Sequence, residues 1–259
     1  MRTAARAREL AVAVLGGLLL TSCASPGPAP DATAARADGP ASGTVVSRAV
    51  PQSVSSLPLR DHLGRPFTLE SLHGKVVVLG DFLTTCQEVC PMTSVTLRDV
   101  ADAARRAGLG SQVEVLEVTV DPERDTPPRL AAYQRLFGAR ENWRFATGRP
   151  ADVARLWQFF GVAYGRTPDH PPYPRDWLTG EPLTYAVMHQ DVVFVIDRQG
   201  RERWLTVGPA ATGGAQPPPT LRAFLNDEGR TNLASPGAAS WTARDVEAAV
   251  AWAGGEKIG

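Results

Sequence analysis

Two short apolar runs separated by one helix-length segment constrain this chain more than any other feature. Residues 75–82 (KVVVLGDF) form a β-branched run of the length and uniformity that suits a strand buried on both faces. Residues 113–120 (VEVLEVTV) read as a second strand. Between them Val100, Ala103, Ala104 and Ala107 recur at helical spacing over residues 91–107, and Gly108 supplies a stop. Further along, Asp125-Thr126-Pro127 offers a capping residue with proline at or near the first helical position, predicting a helix to about Phe137. Residues 143–145 suggest a short strand. Residues 150–160 suggest a helix with Val153, Leu156, Trp157 and Phe160 on one face. Residues 192–197 and 202–207 read as a hairpin, and residues 217–227 as the last helix of the core. Strands alternating with helices place the chain in the α/β class, with a central sheet covered on both faces.

Two segments flank this plan and one interrupts it. Leu57–Leu59 and Phe67–Leu69 bracket the turn Asp61–Gly64, which predicts a short N-terminal hairpin. Residues 165–188 hold five prolines with little periodicity and read as a long loop. Residues 229–259 read as a C-terminal extension with one helix, Thr242–Trp252, that periodicity alone does not dock.

Charge and cysteine content narrow the function. With 27 basic and 27 acidic side chains there is no electrostatic footprint for nucleic acid, so no nucleic-acid partner is expected. Three cysteines in 259 residues exclude a disulfide-stapled scaffold. The first belongs to an address. Arg2, Arg6 and Arg8 precede a short apolar run, LAVAVLGGLLL, which is too short for a permanent span and has the form of a secretory signal. The run ends in Leu20-Thr21-Ser22-Cys23, which resembles a bacterial lipobox. That resemblance implies a lipoprotein signal peptide over residues 1–22, lipidation of Cys23, and a chain anchored to the extracytoplasmic face of the cell membrane. Residues 23–52 open with an Ala/Pro/Gly/Ser-rich stretch that has the composition of a flexible tether, which leaves residues 53–228 as the folded domain.

The other two cysteines carry the chemistry. Cys86 and Cys90 lie in Thr84-Thr85-Cys86-Gln87-Glu88-Val89-Cys90-Pro91, where a buried strand passes into a helix. Thiols four residues apart at a helix start share one face, and the partial positive charge of the helix amino terminus favours thiolate. Thiolates are soft donors that select Cu(I) over hard cations, and a thiol pair can also cycle through a disulfide. A purely structural disulfide closing so short a loop would add little stability.

Strand, then Thr-Thr-Cys-x-x-x-Cys-Pro, then helix resembles the Sco (SenC) copper-chaperone family. So do Val118-Thr119-Val120-Asp121-Pro122-Glu123-Arg124-Asp125-Thr126-Pro127 and a histidine just before the VVFVID strand, His189. The resemblance covers roughly residues 53–228. It implies a three-layer thioredoxin-like fold and a copper ion, Cu(I) or Cu(II), held by Cys86, Cys90 and His189. It also implies a partner: subunit II of cytochrome c oxidase or another extracytoplasmic copper protein. The chain would deliver copper to that subunit's binuclear centre or keep the centre's thiols reduced. Gln87 departs from the proline many relatives carry, and Met188 from the acidic residue that often precedes the histidine.

Two other functions remain open on the same residues. In a metal-independent thiol–disulfide oxidoreductase or peroxidase, Cys86 and Cys90 would be the redox-active pair, although such reductases resemble one another in a two-residue gap between cysteines. A structural metal module is disfavoured because three ligands make a poor structural zinc site. Asp121 and Asp125 are expected to serve turns and a helix cap, and Met188, Trp143, Trp157 and Phe160 to pack. Glu88 is expected in solvent. His62, His73 and His170 are expected at the surface, away from the site.

Overall fold

The computed structural model describes residues 39–212, 217–234 and 240–255; the predicted signal and Cys23 lie outside them. In chain order the elements are β1 (Thr44–Ala49), α1 (Gln52–Ser55), β2 (Leu59–Asp61), β3 (Pro66–Phe67), a 3-10 turn at Glu70–Leu72, β4 (Val76–Phe82), α2 (Cys90–Arg106) and β5 (Val113–Thr119). Then follow α3 (Pro127–Phe137), β6 (Trp143–Gly148), α4 (Pro150–Phe160), β7 (Tyr164–Pro168), β8 (Tyr185–His189), β9 (Val192–Ile196) and β10 (Arg201–Val207). The chain closes with β11 (Ala210–Ala211), α5 (Pro219–Phe224), α6 (Asp227–Ala234), β12 (Trp241–Thr242) and α7 (Ala243–Gly254).

One mixed sheet runs β1-β10-β9-β4-β5-β6-β2-β3. Its parallel centre, β4-β5-β6, is buried throughout β4 and β5, which explains the apolar run of β4 and leaves Glu114 and Glu117 of β5 as buried acids. Side-chain parity assigns the layers. A Cβ on Gly80 would meet Leu97 of α2 at 3.0 Å, and Phe82, two residues on, stacks on Tyr133 of α3. Helices α2 and α3 therefore cover one face. Phe194 is registered with Leu79, whose side chain points the other way, and Phe194 packs on Phe160 of α4. Helix α4 covers the second face, so the three-layer arrangement is the one expected. The N-terminal hairpin also forms: Asp61 accepts from the amides of Leu63 and Arg65, both at 2.9 Å.

Four expectations need correction. The tether does not extend to residue 52, because β1 pairs antiparallel with β10 as an edge strand. Its side chains are almost all exposed, so no burial pattern marked it; backbone pairing holds it. The segment 165–188 is only partly a loop: its two ends are strands, and residues 169–184 form the irregular connection between them. β7 and β8 pair from Tyr164–His189 to Pro168–Tyr185, forming a ribbon. The helix expected over 217–227 breaks at Leu225, after which Asn226 accepts from the amide of Gly229 (2.8 Å) and so caps α6. Finally, α7 is part of the core rather than an extension. Val246, Ala249 and Val250 are buried, and a Cβ on Gly254 would lie 3.0 Å from Val76 of β4. Among the described residues no helix is long and apolar enough to cross a membrane.

Candidate metal centre

Strand β4 ends at Phe82 and α2 begins at Cys90, with Pro91 in its first turn. The intervening loop folds back on the helix start, so that the amide of Cys90 points at Cys86 Sγ (3.4 Å). Both thiols are free, Cys90 buried and Cys86 partly so. They differ in acidity. The hydrogen bond from Cys90 holds Cys86 down to about 6, outweighing burial, with amides of the loop and helix start assisting. Burial pushes Cys90 well above its ordinary value, and the neighbouring Cys86 pushes it the same way.

His189 enters from 99 residues away, as the last residue of β8. Its Nε2 lies 3.3 Å from Cys90 Sγ, while Nδ1 lies 2.5 Å from Asp81 Oδ2 and 3.1 Å from the Gln190 carbonyl. Asp81 is itself fixed, because its second oxygen accepts from the Val192 amide at 2.8 Å. Burial works against protonation of His189, but the hydrogen bond and charge of Asp81 prevail and raise it to about 9. A carboxylate on Nδ1 fixes the ring so that Nε2 faces the sulfur, the usual support of a metal-binding imidazole. Asp191 completes the cluster: donor atoms of Cys90, His189 and Asp191 all lie within 4.8 Å of one another. Burial raises the Asp191 carboxyl to about 7.

A cleft of about 410 Å³ opens onto these groups between the thiol loop and the ribbon, lined by Thr85, Cys86, Tyr185, Met188 and His189 among others. Two sets of contacts fix its walls. Buried Asp125 accepts from the Thr84 amide (3.1 Å), the Thr84 hydroxyl and the Thr119 hydroxyl (2.5 Å). Arg129 donates to Thr84 Oγ1 (2.5 Å) and pairs with Asp176 of the loop that joins β7 to β8 (2.8 Å). On the other side Gln87 Nε2 donates to the Phe224 carbonyl (2.5 Å), and Asn226 donates to Glu88 (2.8 Å). A proline at position 87 would lack the first of these bonds.

The residues chosen from sequence thus converge. Cys86, Cys90 and His189 share one site. His73 and His170 are exposed, as expected, whereas His62 is buried. Met188 is not a packing residue: it is 66% exposed at the cleft rim. Asp125 does not cap α3, whose N-cap is Thr126 without a side-chain bond; its carboxylate turns inward to the thiol loop. Glu88 is held by Asn226 rather than free in solvent. Sequence reasoning passed over Asp81 and Asp191. A lone acid in an otherwise apolar strand was the signal for the first. Nothing in the order of residues marked the second.

Comparison with known proteins adds to this geometry. A family model described as SCO1/SenC matches residues 48–210. A relative from Stutzerimonas stutzeri whose name describes copper binding is 27% identical over 169 residues, 65% of this chain and 74% of its own length. An SCO1 protein homolog from Bacillus subtilis is 29% identical over 86 residues, 33% of this chain and 44% of that protein. The crystal structure of Arabidopsis thaliana ScoI with copper bound aligns with a TM-score of 0.50 at 22% identity, over 61% of this chain and 89% of that one. That likeness is one of fold, and the thioredoxin-like architecture expected from sequence is the one observed.

Proposed function

The chain belongs to the SCO1/SenC family, and from that premise we propose that it is a copper metallochaperone holding its cargo on Cys86, Cys90 and His189. The observation that carries this reading is Nε2 of His189 at 3.3 Å from Cys90 Sγ, with Nδ1 anchored by Asp81. The names of the relatives support copper as the ion. The donor set fits it: two sulfurs suit Cu(I), and the imidazole extends the site to Cu(II). The cleft leaves the partly buried Cys86 reachable, so an incoming pair of target thiolates can displace the protein's ligands one at a time. In this proposal the target is the binuclear copper site of cytochrome c oxidase subunit II, or another extracytoplasmic copper protein. Lipidation of Cys23 holds the chain at the membrane near that target and raises its effective concentration there. Membrane fractionation of a Cys23→Ala variant tests the anchor.

The decisive experiment is copper titration of the purified, reduced protein. One equivalent should bind tightly, and Cys86→Ser, Cys90→Ser and His189→Ala should each weaken binding. Affinity unchanged in Cys86→Ser or His189→Ala would overturn the reading. A second function rests on the unequal thiols. Cys86 near 6 is a nucleophile at neutral pH, and buried Cys90 beside it is placed to resolve a mixed disulfide. Reduction of a disulfide substrate by the metal-free protein, insensitive to His189→Ala, would favour that metal-independent role.

A further inference from the structure

We infer that Asp191 supplies a fourth, oxygen donor to this centre and that this donor tunes it toward Cu(II); the inference rests on the copper reading above. The two acids beside His189 stand in different situations. Asp81 has both oxygens engaged, one by the imidazole and one by the Val192 amide. Asp191 Oδ1 is sealed from solvent and has no hydrogen-bond partner. A buried carboxylate oxygen left without a donor is costly, so such an atom calls for a cation or another group that the protein itself does not provide. Its carboxylate is among the donor atoms that lie within 4.8 Å of one another with Cys90 Sγ and the His189 ring.

The backbone holds Asp191 where it is. It sits in the two-residue link between β8 and β9, where the Gln190 amide donates to the Ala163 carbonyl (3.1 Å). The Asp191 carbonyl accepts from the Gly208 amide (2.9 Å). The side chain therefore has a fixed origin on the same short link that presents His189. Chemistry then decides which ion benefits. Cu(I) is soft and is satisfied by the two sulfurs. Cu(II) favours a four-donor, tetragonal set that includes nitrogen and oxygen. Cys86, Cys90, His189 and Asp191 make that set, so the carboxylate strengthens the oxidised ion selectively.

The test measures both ions on the wild type, Asp191→Asn and Asp191→His. Cu(I) affinity is read by competition with a chromogenic chelator, and Cu(II) affinity by anaerobic titration with paramagnetic resonance; circular dichroism monitors the fold. In Asp191→Asn we expect Cu(II) affinity to fall on the order of 10-fold or more, the size of effect seen when metal-site partners are removed. The resonance parameters should shift and Cu(I) affinity should stay within about two-fold, since the two sulfurs satisfy that ion. Asp191→His should retain Cu(II) and add a second nitrogen coupling. Unchanged Cu(II) affinity and spectrum in Asp191→Asn would overturn the inference. So would a loss of affinity with an unchanged spectrum, which would mean charge without ligation, or equal losses for both ions. A wild type that binds neither ion defeats the copper reading itself, and this inference with it.

Discussion

At the scale of single residues, the site is a set of unequal charges held close together. Cys86 and Cys90 are chemically similar side chains that the fold makes different: one is stabilised as thiolate, the other is buried as thiol. Iodoacetamide should therefore label Cys86 first in the metal-free protein. Its rate should climb through a midpoint near pH 6 and level off above pH 7, while Cys90 labels slowly throughout. Equal rates, or a midpoint near the ordinary thiol value, would contradict the asymmetry. Asp81 governs the third ligand. Without its hydrogen bond and charge, burial is opposed only by the charges of Asp191 and Cys86, so the His189 titration should drop from about 9 in Asp81→Asn when followed by NMR. Copper affinity should fall about 10- to 100-fold with it.

At the scale of elements, the ribbon β7–β8 and the thiol loop are tied together through α3. Arg129 on that helix bonds the thiol loop at Thr84 and, at Asp176, the connection between β7 and β8, and its guanidinium lies over the Trp177 ring at 5.6 Å. Replacing it leaves buried Asp176 and Asp125 without their cation. Arg129→Met should cost about 3–5 kcal/mol in denaturant unfolding, the usual penalty for breaking one side of a buried pair. Copper affinity should drop too, because His189 ends the strand that this released connection leads into. A second buried acid links α2, β5 and β6. Glu117 accepts from Ser94 (2.7 Å) and Trp143 Nε1 (2.8 Å), both neutral, and burial raises it to about 8. The folded state thus keeps a proton that the unfolded chain loses near the ordinary value of 4.5. This contribution is fully present below that value and is lost as pH rises through about 8. Urea midpoints should fall with pH across this window, and the fall should be shallower in Glu117→Gln. An identical slope in the variant would place the proton elsewhere.

At the scale of the whole molecule, the C-terminal helix belongs to the core. Trp241, Val246, Ala249 and Val250 are buried, and α7 lies over β4, the strand that carries Asp81 into the site. Large apolar side chains contribute roughly 1.5–3 kcal/mol each when buried. A domain of ordinary stability holds only about 5–15 kcal/mol in total. Ending the chain before Ser240 should therefore sharply lower the thermal midpoint or abolish cooperative unfolding. A truncated chain with an unchanged midpoint would show α7 to be dispensable.

The order of residues by itself determined the strand–helix alternation, the position of the thiol pair at a helix start, the lengths of α3 and α4 almost to the residue, and the family resemblance that singled out His189. These are local or motif-level properties: burial periodicity, caps, and spacing within one turn. It did not reveal β1, whose exposed side chains carry no pattern, or the β7–β8 ribbon, whose pairing is made by backbone groups that any sequence possesses. Nor did it reveal that Asp81 would hold His189, that Asp125 would turn inward, or that Asp191 would meet Cys90. Those contacts join residues far apart along the chain, and only the assembled sheet, by fixing where each strand ends, decides which side chains share one site.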